Sequence, residues 1–285
     1  MTVITPTASE RAAGKLDAAN LTTAVRALLD DGIVVLEGVV DLGHIETLRE
    51  RSFSDLARFQ ARPDAPYNWN KGNIQQDPPP FMPYLFRDVL VNDYAIQVTK
   101  EVLGKGMRNA FYSGNTALPS EERQPVHADI GHLWPNQEHV HPPYGIVVNV
   151  PLVDMGPENG STEIWPGTHK DPSVTIQDGQ IEASEAAMAK WRAVKPPFQP
   201  VVKAGSIVIR DIRMWHAGMP NRTQTPRPMI AMIHYVSWWP LGDKMKFGKG
   251  AEAVLQHPDL ETWAEFVDGE PDYVGSPHGY DGDGK

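Results

Sequence analysis

The chain has 285 residues, a formal net charge of −10 and no cysteine. The acidic balance argues against nucleic-acid and anionic membrane partners, which are bound through clustered lysines and arginines, and no segment reaches the roughly 18 consecutive apolar residues of a membrane-spanning helix. The missing thiols exclude a disulfide framework and a thiolate metal site, so we expect a cytoplasmic protein in which any transition metal is held by histidine, aspartate or glutamate.

The first third of the chain shows helical periodicity. Residues 1–18 are small and polar, which predicts a loose N-terminal arm, and 19–103 are expected to form a helical support. Between the predicted helices, 63–83 form a long loop rich in aromatic and amide side chains, a composition often found in binding loops. The predicted elements are helices over 19–31, 41–62 (capped by Asp41) and 88–103, and a strand over 33–36 after Gly32.

After Gly104 the pattern changes to short strands rich in valine, isoleucine, threonine and aromatic residues. Residues 104–240 therefore predict a β-rich core, a barrel or sandwich supported by helices on one side, and 241–285 predict a C-terminal helix and a disordered tail. No linker divides the chain, so 1–285 are expected to form one domain. The predicted elements are strands over 110–112, 124–130, 144–152, 162–165, 205–212 and 229–238, and helices over 182–194 and 260–266.

The predicted strand over 124–130 contains a histidine and an aspartate two positions apart. His127 and Asp129 would point to the same side of an extended strand, and His216 could supply a third ligand to one ion. Two histidines and one carboxylate that leave other positions open suit non-heme Fe(II). Arg227 lies eleven residues after His216, where a guanidinium could hold a carboxylate through two parallel hydrogen bonds. This pattern indicates an organic acid bound beside a metal.

Other histidines offer rival ligands. His139 and His141 alternate as strand residues would, but they lie between loop-forming residues, and no carboxylate stands in register with them. His234 is expected to be a hydrogen-bonded core residue, and His169 a turn residue.

In these segments the chain resembles the phytanoyl-CoA dioxygenase family of Fe(II)/2-oxoglutarate-dependent oxygenases, and it is most similar to the branch that tailors fungal alkaloids and meroterpenoids. The resemblance covers most of the chain. The segments that carry it are 31–36 (DGIVVL), 124–129 (QPVHAD), 151–154 (PLVD), 158–162 (ENGST), 166–170 (PGTHK), and 211–218 (DIRMWHAG) through Asn221 to Arg227.

The resemblance implies a mainly β fold with flanking helices, built on a jelly-roll core with iron at one open end. It assigns His127, Asp129 and His216 as metal ligands and Arg227 as the partner of the distal carboxylate of 2-oxoglutarate. Further contacts to this cosubstrate are expected from Gln124, Thr162 and Asn73. The family consumes O2 and releases succinate and CO2, and the intact aspartate argues against the halogenases, which replace it with a small residue.

The substrate is expected to be an apolar specialised metabolite in which an unactivated C–H bond is oxidised. Soft and aromatic residues of the predicted strands and loops would suit such a ligand. A small charged metabolite would need a further clamp, for which Arg213 is a candidate, although Asp211 is a simpler partner for it. The candidate substrate contacts are Trp69, Tyr67, Phe111, Tyr112, Trp134 and Met214.

Other functions stay open. An acyl-CoA or small-metabolite hydroxylase of the same family is one, although no cluster of basic residues for CoA phosphates lies near the triad. A cupin-like metalloenzyme without cosubstrate and a non-catalytic partner of a sister oxygenase are two more. We expect a small-molecule substrate and no nucleic-acid or membrane partner, and a homodimer is also left open.

Overall fold

The computed structural model describes residues 1–135 and 137–276, and none of the helices there is long and apolar enough to cross a membrane. The helices are α1 (Ala8–Ala13), α2 (Ala18–Asp31), α3 (Leu42–Gln60), α4 (Arg87–Leu90), α5 (Asp93–Leu103) and α6 (Glu185–Val194). The strands are β1 (Thr2–Ile4), β2 (Ile33–Leu36), β3 (Asn73–Gln75), β4 (Met107–Ala117), β5 (Gly145–Pro151), β6 (Glu163–Ile164), β7 (Ile207–Asp211), β8 (His216–Ala217), β9 (Arg227–Tyr235), β10 (Met245–Gly248), β11 (Leu260–Thr262) and β12 (Ala264–Val267).

An eight-stranded sheet forms the centre of the fold. Its order is β1-β2-β7-β5-β9-β4-β11, and β3 pairs with β4 along the same edge as β11. The inner pairs are antiparallel, whereas β1 and β11 join the two ends in parallel. All seven residues of β5 are buried, as expected for a central strand covered on both faces. The mainly β prediction is confirmed.

A smaller layer faces this sheet. β6 and β8 pair with each other, and the extended segment 124–130 lies along β8 through two backbone hydrogen bonds between His127 and His216. The predicted strand over 124–130 is therefore extended but is held by isolated bridges rather than a continuous ladder. A cavity is lined by residues of both layers.

The other face of the sheet is covered by helices. Apolar residues of α2 and α5, among them Leu28 and Ile96, join the main core with side chains of β2 and β5. The Asp41 carboxylate accepts hydrogen bonds from the amides that open α3, as predicted. Gly32 ends α2 with a φ of 82°, and a side chain there would also meet the His169 ring, because a Cβ would lie 2.6 Å from Nδ1.

The N-terminal segment is not the loose arm that its composition predicts. β1 extends the sheet beside β2. α1 begins with a capping box in which the side chains of Thr7 and Glu10 accept hydrogen bonds from each other's backbone amides. The buried Glu10 carboxylate also accepts from the Asp17 amide, so it ties the start of α2 to α1. The segment is therefore part of the folded core.

The C-terminal helix predicted over 260–266 is wrong, because that segment forms β11 and β12. Leu260 pairs with Met107 of β4, and Phe266 pairs with Phe247 of β10. The predicted disordered tail extends into 277–285, which lie outside the described residues.

Two core histidines should make folding stability depend on pH. Burial lowers the pKa of both His132 and His234 to about 3, and His234 bonds through Nδ1 to the Thr99 hydroxyl, as a core histidine was predicted to do. In the unfolded chain these imidazoles titrate near pH 6.5. Between that pH and about pH 3 the unfolded state therefore binds protons that the folded state does not bind. Each histidine should then remove about 1.4 kcal/mol of stability per pH unit as the pH falls from 6.5 toward 3.

Urea denaturation between pH 7 and pH 4.5 measures this dependence. His234→Gln should reduce the slope of unfolding free energy against pH by about one histidine's share, whereas the same change at the exposed His139 should leave it intact. An unchanged slope in His234→Gln would contradict the assignment.

Candidate metal centre and cavity

His127, Asp129 and His216 converge as the sequence predicts. One ligand atom from each lies within 4.8 Å of the others, and within the described ranges no other group of three such side chains meets this condition. The extended segment places His127 opposite His216 of β8, and Asp129 follows two residues later on the same side. Asp129 Oδ1 lies 3.4 Å from His216 Nε2, so carboxylate and imidazole face the same point.

Backbone carbonyls fix the orientation of both imidazoles. His127 Nδ1 lies 2.8 Å from the Pro125 carbonyl oxygen, and His216 Nδ1 lies 3.1 Å from that of Met214. Because a carbonyl only accepts, each Nδ1 carries the proton and each Nε2 keeps its lone pair for a metal. Burial, and then the neighbouring His216, lower the pKa of His127 to about 3, so this ring is neutral at physiological pH. Two imidazole nitrogens and one carboxylate fit Fe(II).

Arg210 is a second charged group at this centre, and the sequence analysis did not single it out. Its Nη2 donates to Asp129 Oδ2 at 2.5 Å, on the opposite side of the carboxylate from His216. Burial by itself would raise the pKa of the Asp129 carboxyl, but the positive charge of Arg210 and the contact with His216 hold it well below its usual range. Asp129 is therefore ionised.

Arg227 is buried with most of its guanidinium unused. The side chain is 1% exposed, Nη2 donates to the Gly160 carbonyl at 2.7 Å, and Nε and Nη1 have no partner among the described residues. Burial lowers its pKa to about 10, which leaves the group charged at neutral pH. Met229 and Ala231, which alternate with Arg227 along β9, line the cavity, so all three lie on the inner face of the sheet. An unpaired buried cation is costly unless an anion joins it.

The three predicted cosubstrate contacts, Gln124, Asn73 and Thr162, all line the cavity. Gln124 Oε1 accepts from the Gly218 amide at 2.8 Å, and the buried Asn73 Oδ1 has no partner in the part of the chain that the structure describes. Gly218 allows this close approach, because a Cβ there would lie 2.6 Å from Gln124 Oε1 and 2.8 Å from Asn73 Nδ2.

The cavity measures about 150 Å³. Its lining combines apolar side chains and side-chain amides with the three converging side chains. The apolar lining residues include Trp69, Phe111, Met155, Ile164, Val208 and Met229; the further amides are Asn68, Gln75, Asn115 and Asn149.

Of the aromatic and soft residues predicted to contact substrate, Trp69 and Phe111 line this cavity. The Trp69 ring lies over His127, with centroids 4.1 Å apart, and its backbone holds a φ of 61°, unusual outside glycine. A bulge in β4 after Asn109 leaves Phe111 on the cavity side and Tyr112 on the other, where it stacks on Phe247.

The remaining candidates do not line the cavity, which corrects the expectation from sequence. Tyr67 packs in an apolar cluster with Ile74 and Phe59, and Met214 is fully buried in another. Trp134 is 52% exposed and lies edge-on to His141. Arg213 is not a clamp, because it forms a buried ion pair with Asp211, as the simpler reading predicted.

Comparison with known proteins places this geometry in context. The family model "Phytanoyl-CoA dioxygenase (PhyH)" matches residues 28–229. The protein "Dioxygenase af480" of Aspergillus fumigatus is 28% identical over 224 residues, which are 76% of this chain and 67% of that protein.

Solved structures share the fold. AviO1 from Streptomyces viridochromogenes superposes with a TM-score of 0.57 at 22% identity, over 79% of this chain and 99% of that one. HygX from Streptomyces hygroscopicus, solved with nickel and 2-oxoglutarate bound, gives 0.54 at 15% identity, over 79% of this chain and 90% of its own. EctD from S. alaskensis gives 0.55 at 18% identity, over 78% and 77%. The jelly-roll prediction is confirmed.

Proposed function

Because the chain belongs to the phytanoyl-CoA dioxygenase family, and so is a non-heme iron and 2-oxoglutarate-dependent dioxygenase, we propose that it oxidises an unactivated C–H bond of a largely apolar specialised metabolite. The observation that carries this proposal is the meeting of three metal-ligand side chains with a buried guanidinium that no carboxylate of the described chain neutralises.

We assign roles on that basis. His127, Asp129 and His216 would hold Fe(II), and Arg227 would pair with the distal carboxylate of 2-oxoglutarate. Gln124, Asn73 and Thr162, which line the cavity, would bond to the rest of that molecule. Bound iron supplies the oxygen chemistry that converts 2-oxoglutarate and O2 into succinate and CO2 and oxidises the substrate. The chain itself orients the reactants and excludes water, so no general base is required.

The substrate class follows from the apolar lining residues. Trp69, whose ring lies over His127, and Phe111 offer flat apolar surfaces to the cavity, which suits a hydrophobic scaffold. An acyl-CoA is less well suited, since the described cavity lining contains one cation, Arg210, and no cluster for CoA phosphates. We keep the tailoring branch as a proposal that rests on the sequence motifs; the relative from Aspergillus fumigatus supports the dioxygenase reaction.

Turnover of 2-oxoglutarate tests the proposal. Purified protein with Fe(II), ascorbate and 2-oxoglutarate should form succinate and CO2, more so with a suitable hydrophobic substrate, and Zn(II) in place of iron should abolish both products. Succinate formation that does not depend on iron would contradict the proposal. No succinate above background with any compound of a broad metabolite panel would favour a non-catalytic partner instead.

A side chain at position 218 should weaken cosubstrate binding. The added methyl group of Gly218→Ala would displace the side chains of Gln124 and Asn73. Because one or two of their proposed hydrogen bonds to 2-oxoglutarate would be lost, the KM for 2-oxoglutarate should rise roughly two- to tenfold. Gly242→Ala is the matched control, because a Cβ there meets nothing within 4 Å. Equal KM values in the two variants would refute the assignment of Gln124 and Asn73.

A further inference from the structure

Arg210 has one arm that the metal centre does not use. Nη2 binds Asp129, whereas Nη1 is buried and has no hydrogen-bond partner within 1–135 and 137–276. The residue is 7% exposed and lines the cavity, on the same face of β7 as Val208 two positions earlier. A buried N–H of a charged group without an acceptor destabilises the folded protein, so we expect a ligand to accept a hydrogen bond from Nη1.

Asn149 lies on the strand beside Arg210. It pairs with Val208 across β5 and β7, two residues from the Arg210 position, so Asn149 and Arg210 are diagonal neighbours on the same face of the sheet. Its side chain is 5% exposed, lines the cavity and forms no hydrogen bond to another described residue. A guanidinium N–H and an amide side chain without a partner therefore belong to two neighbouring residues that both line the cavity.

The charges of the loaded site indicate what these donors bind. Fe(II) brings two positive charges, and the two buried guanidiniums of Arg210 and Arg227 bring one each. Asp129 supplies one negative charge and 2-oxoglutarate supplies two. Asp129 and Arg210 are the only aspartate, glutamate, lysine or arginine residues that line the cavity within the described chain. One positive charge remains, and in a buried site it favours an anion over a neutral group.

We propose that the substrate carries a carboxylate, which Arg210 Nη1 and the Asn149 amide hold while its apolar part packs against Phe111, Ile164 and Met229. This deepens the proposed function and rests on it. Arg210 and Asn149 would thus determine substrate specificity. The enzyme would catalyse the oxidation of a hydrophobic monocarboxylic acid. The competing role for Arg210 is only to orient Asp129, which gives no preference for acids.

A panel of paired probes separates the two roles. Straight-chain, cyclic and aromatic monocarboxylates, cyclohexanecarboxylate among them, are compared with their primary amides by calorimetry on the Fe(II) protein under anaerobic conditions, with and without 2-oxoglutarate. We expect the best acid to bind roughly ten- to a hundredfold more tightly than its amide. If no acid in the panel binds better than its amide, the inference is overturned.

Two variants complete the test. Asn149→Leu removes the amide donor but leaves the ion pair between Arg210 and Asp129 in place. It should therefore reduce acid binding about tenfold, while the affinity for 2-oxoglutarate stays at the wild-type value. Arg210→Gln should abolish the preference for acid over amide, and Arg210→Lys should restore part of it. A preference that persists in both Asn149→Leu and Arg210→Gln would overturn the inference. Because the acid titration without 2-oxoglutarate is scored separately, failure of cosubstrate binding would count against the proposed function and not against the carboxylate site.

Discussion

His216→Ala is expected to abolish iron-dependent succinate formation. The imidazole presents Nε2 to the point where Asp129 and His127 also converge, so its loss leaves two ligands. Removal of a group that merely orients a metal ligand costs roughly 10–100-fold in metal affinity, and removal of a ligand should cost more than about a hundredfold. Metal content after dialysis and succinate release measure the two effects.

The control for this variant is His139→Ala, which removes an exposed imidazole from a loop beyond the triad. It should retain wild-type iron content and turnover. The thermal unfolding of metal-free His216→Ala should stay close to that of the wild type, because the lost hydrogen bond to the Met214 carbonyl contributes only about 1 kcal/mol. Iron binding at wild-type strength in His216→Ala would show that this histidine is not a ligand.

Arg227→Met should separate cosubstrate binding from folding. The variant keeps the volume of the side chain but removes a charge-assisted pair worth roughly 1.5–3 kcal/mol, so the KM for 2-oxoglutarate should rise about tenfold to a hundredfold. The same change removes a buried cation that has only the Gly160 carbonyl as partner, so the protein without 2-oxoglutarate should be as stable as the wild type or more stable.

Arg222→Met provides the matched control. Arg222 precedes Arg227 in the segment between β8 and β9 and pairs with Glu121 on the surface. Its KM should not change. A wild-type KM in Arg227→Met would mean that this guanidinium does not contact the cosubstrate, whereas a large loss of stability would mean that it is a structural residue.

The site could be predicted because metal-ligand residues can be recognised in the sequence by their types and their spacing. An H-x-D pair on an extended segment and a distant histidine converge whenever the two segments are neighbours, as 124–130 and β8 are. Arg210 was missed because the strand over 205–212 reads as buried and apolar. Alternation was the available signal, since Val208 and Arg210 share the face that looks toward the triad.

The fold was predictable in its main strands and less so at its ends. In 260–266, Leu260, Trp263 and Phe266 have helical spacing, but Leu260, Thr262, Ala264 and Phe266 also alternate, and seven residues do not decide between the two. Pairing with Met107 and Phe247 decides for strands. At the other end, the capping box formed by Thr7 and Glu10 was a local signal of helix that a reading by composition passes over.

Only three-residue strands border the eight-stranded sheet, β1 at one edge and β3 with β11 at the other. Trimming residues 1–6 would uncover the edge of β2, an entirely apolar strand, and uncovered apolar edges recruit strands from other molecules. A shortened version should therefore aggregate during expression, and a purification tag is better separated from Thr2 by a flexible spacer.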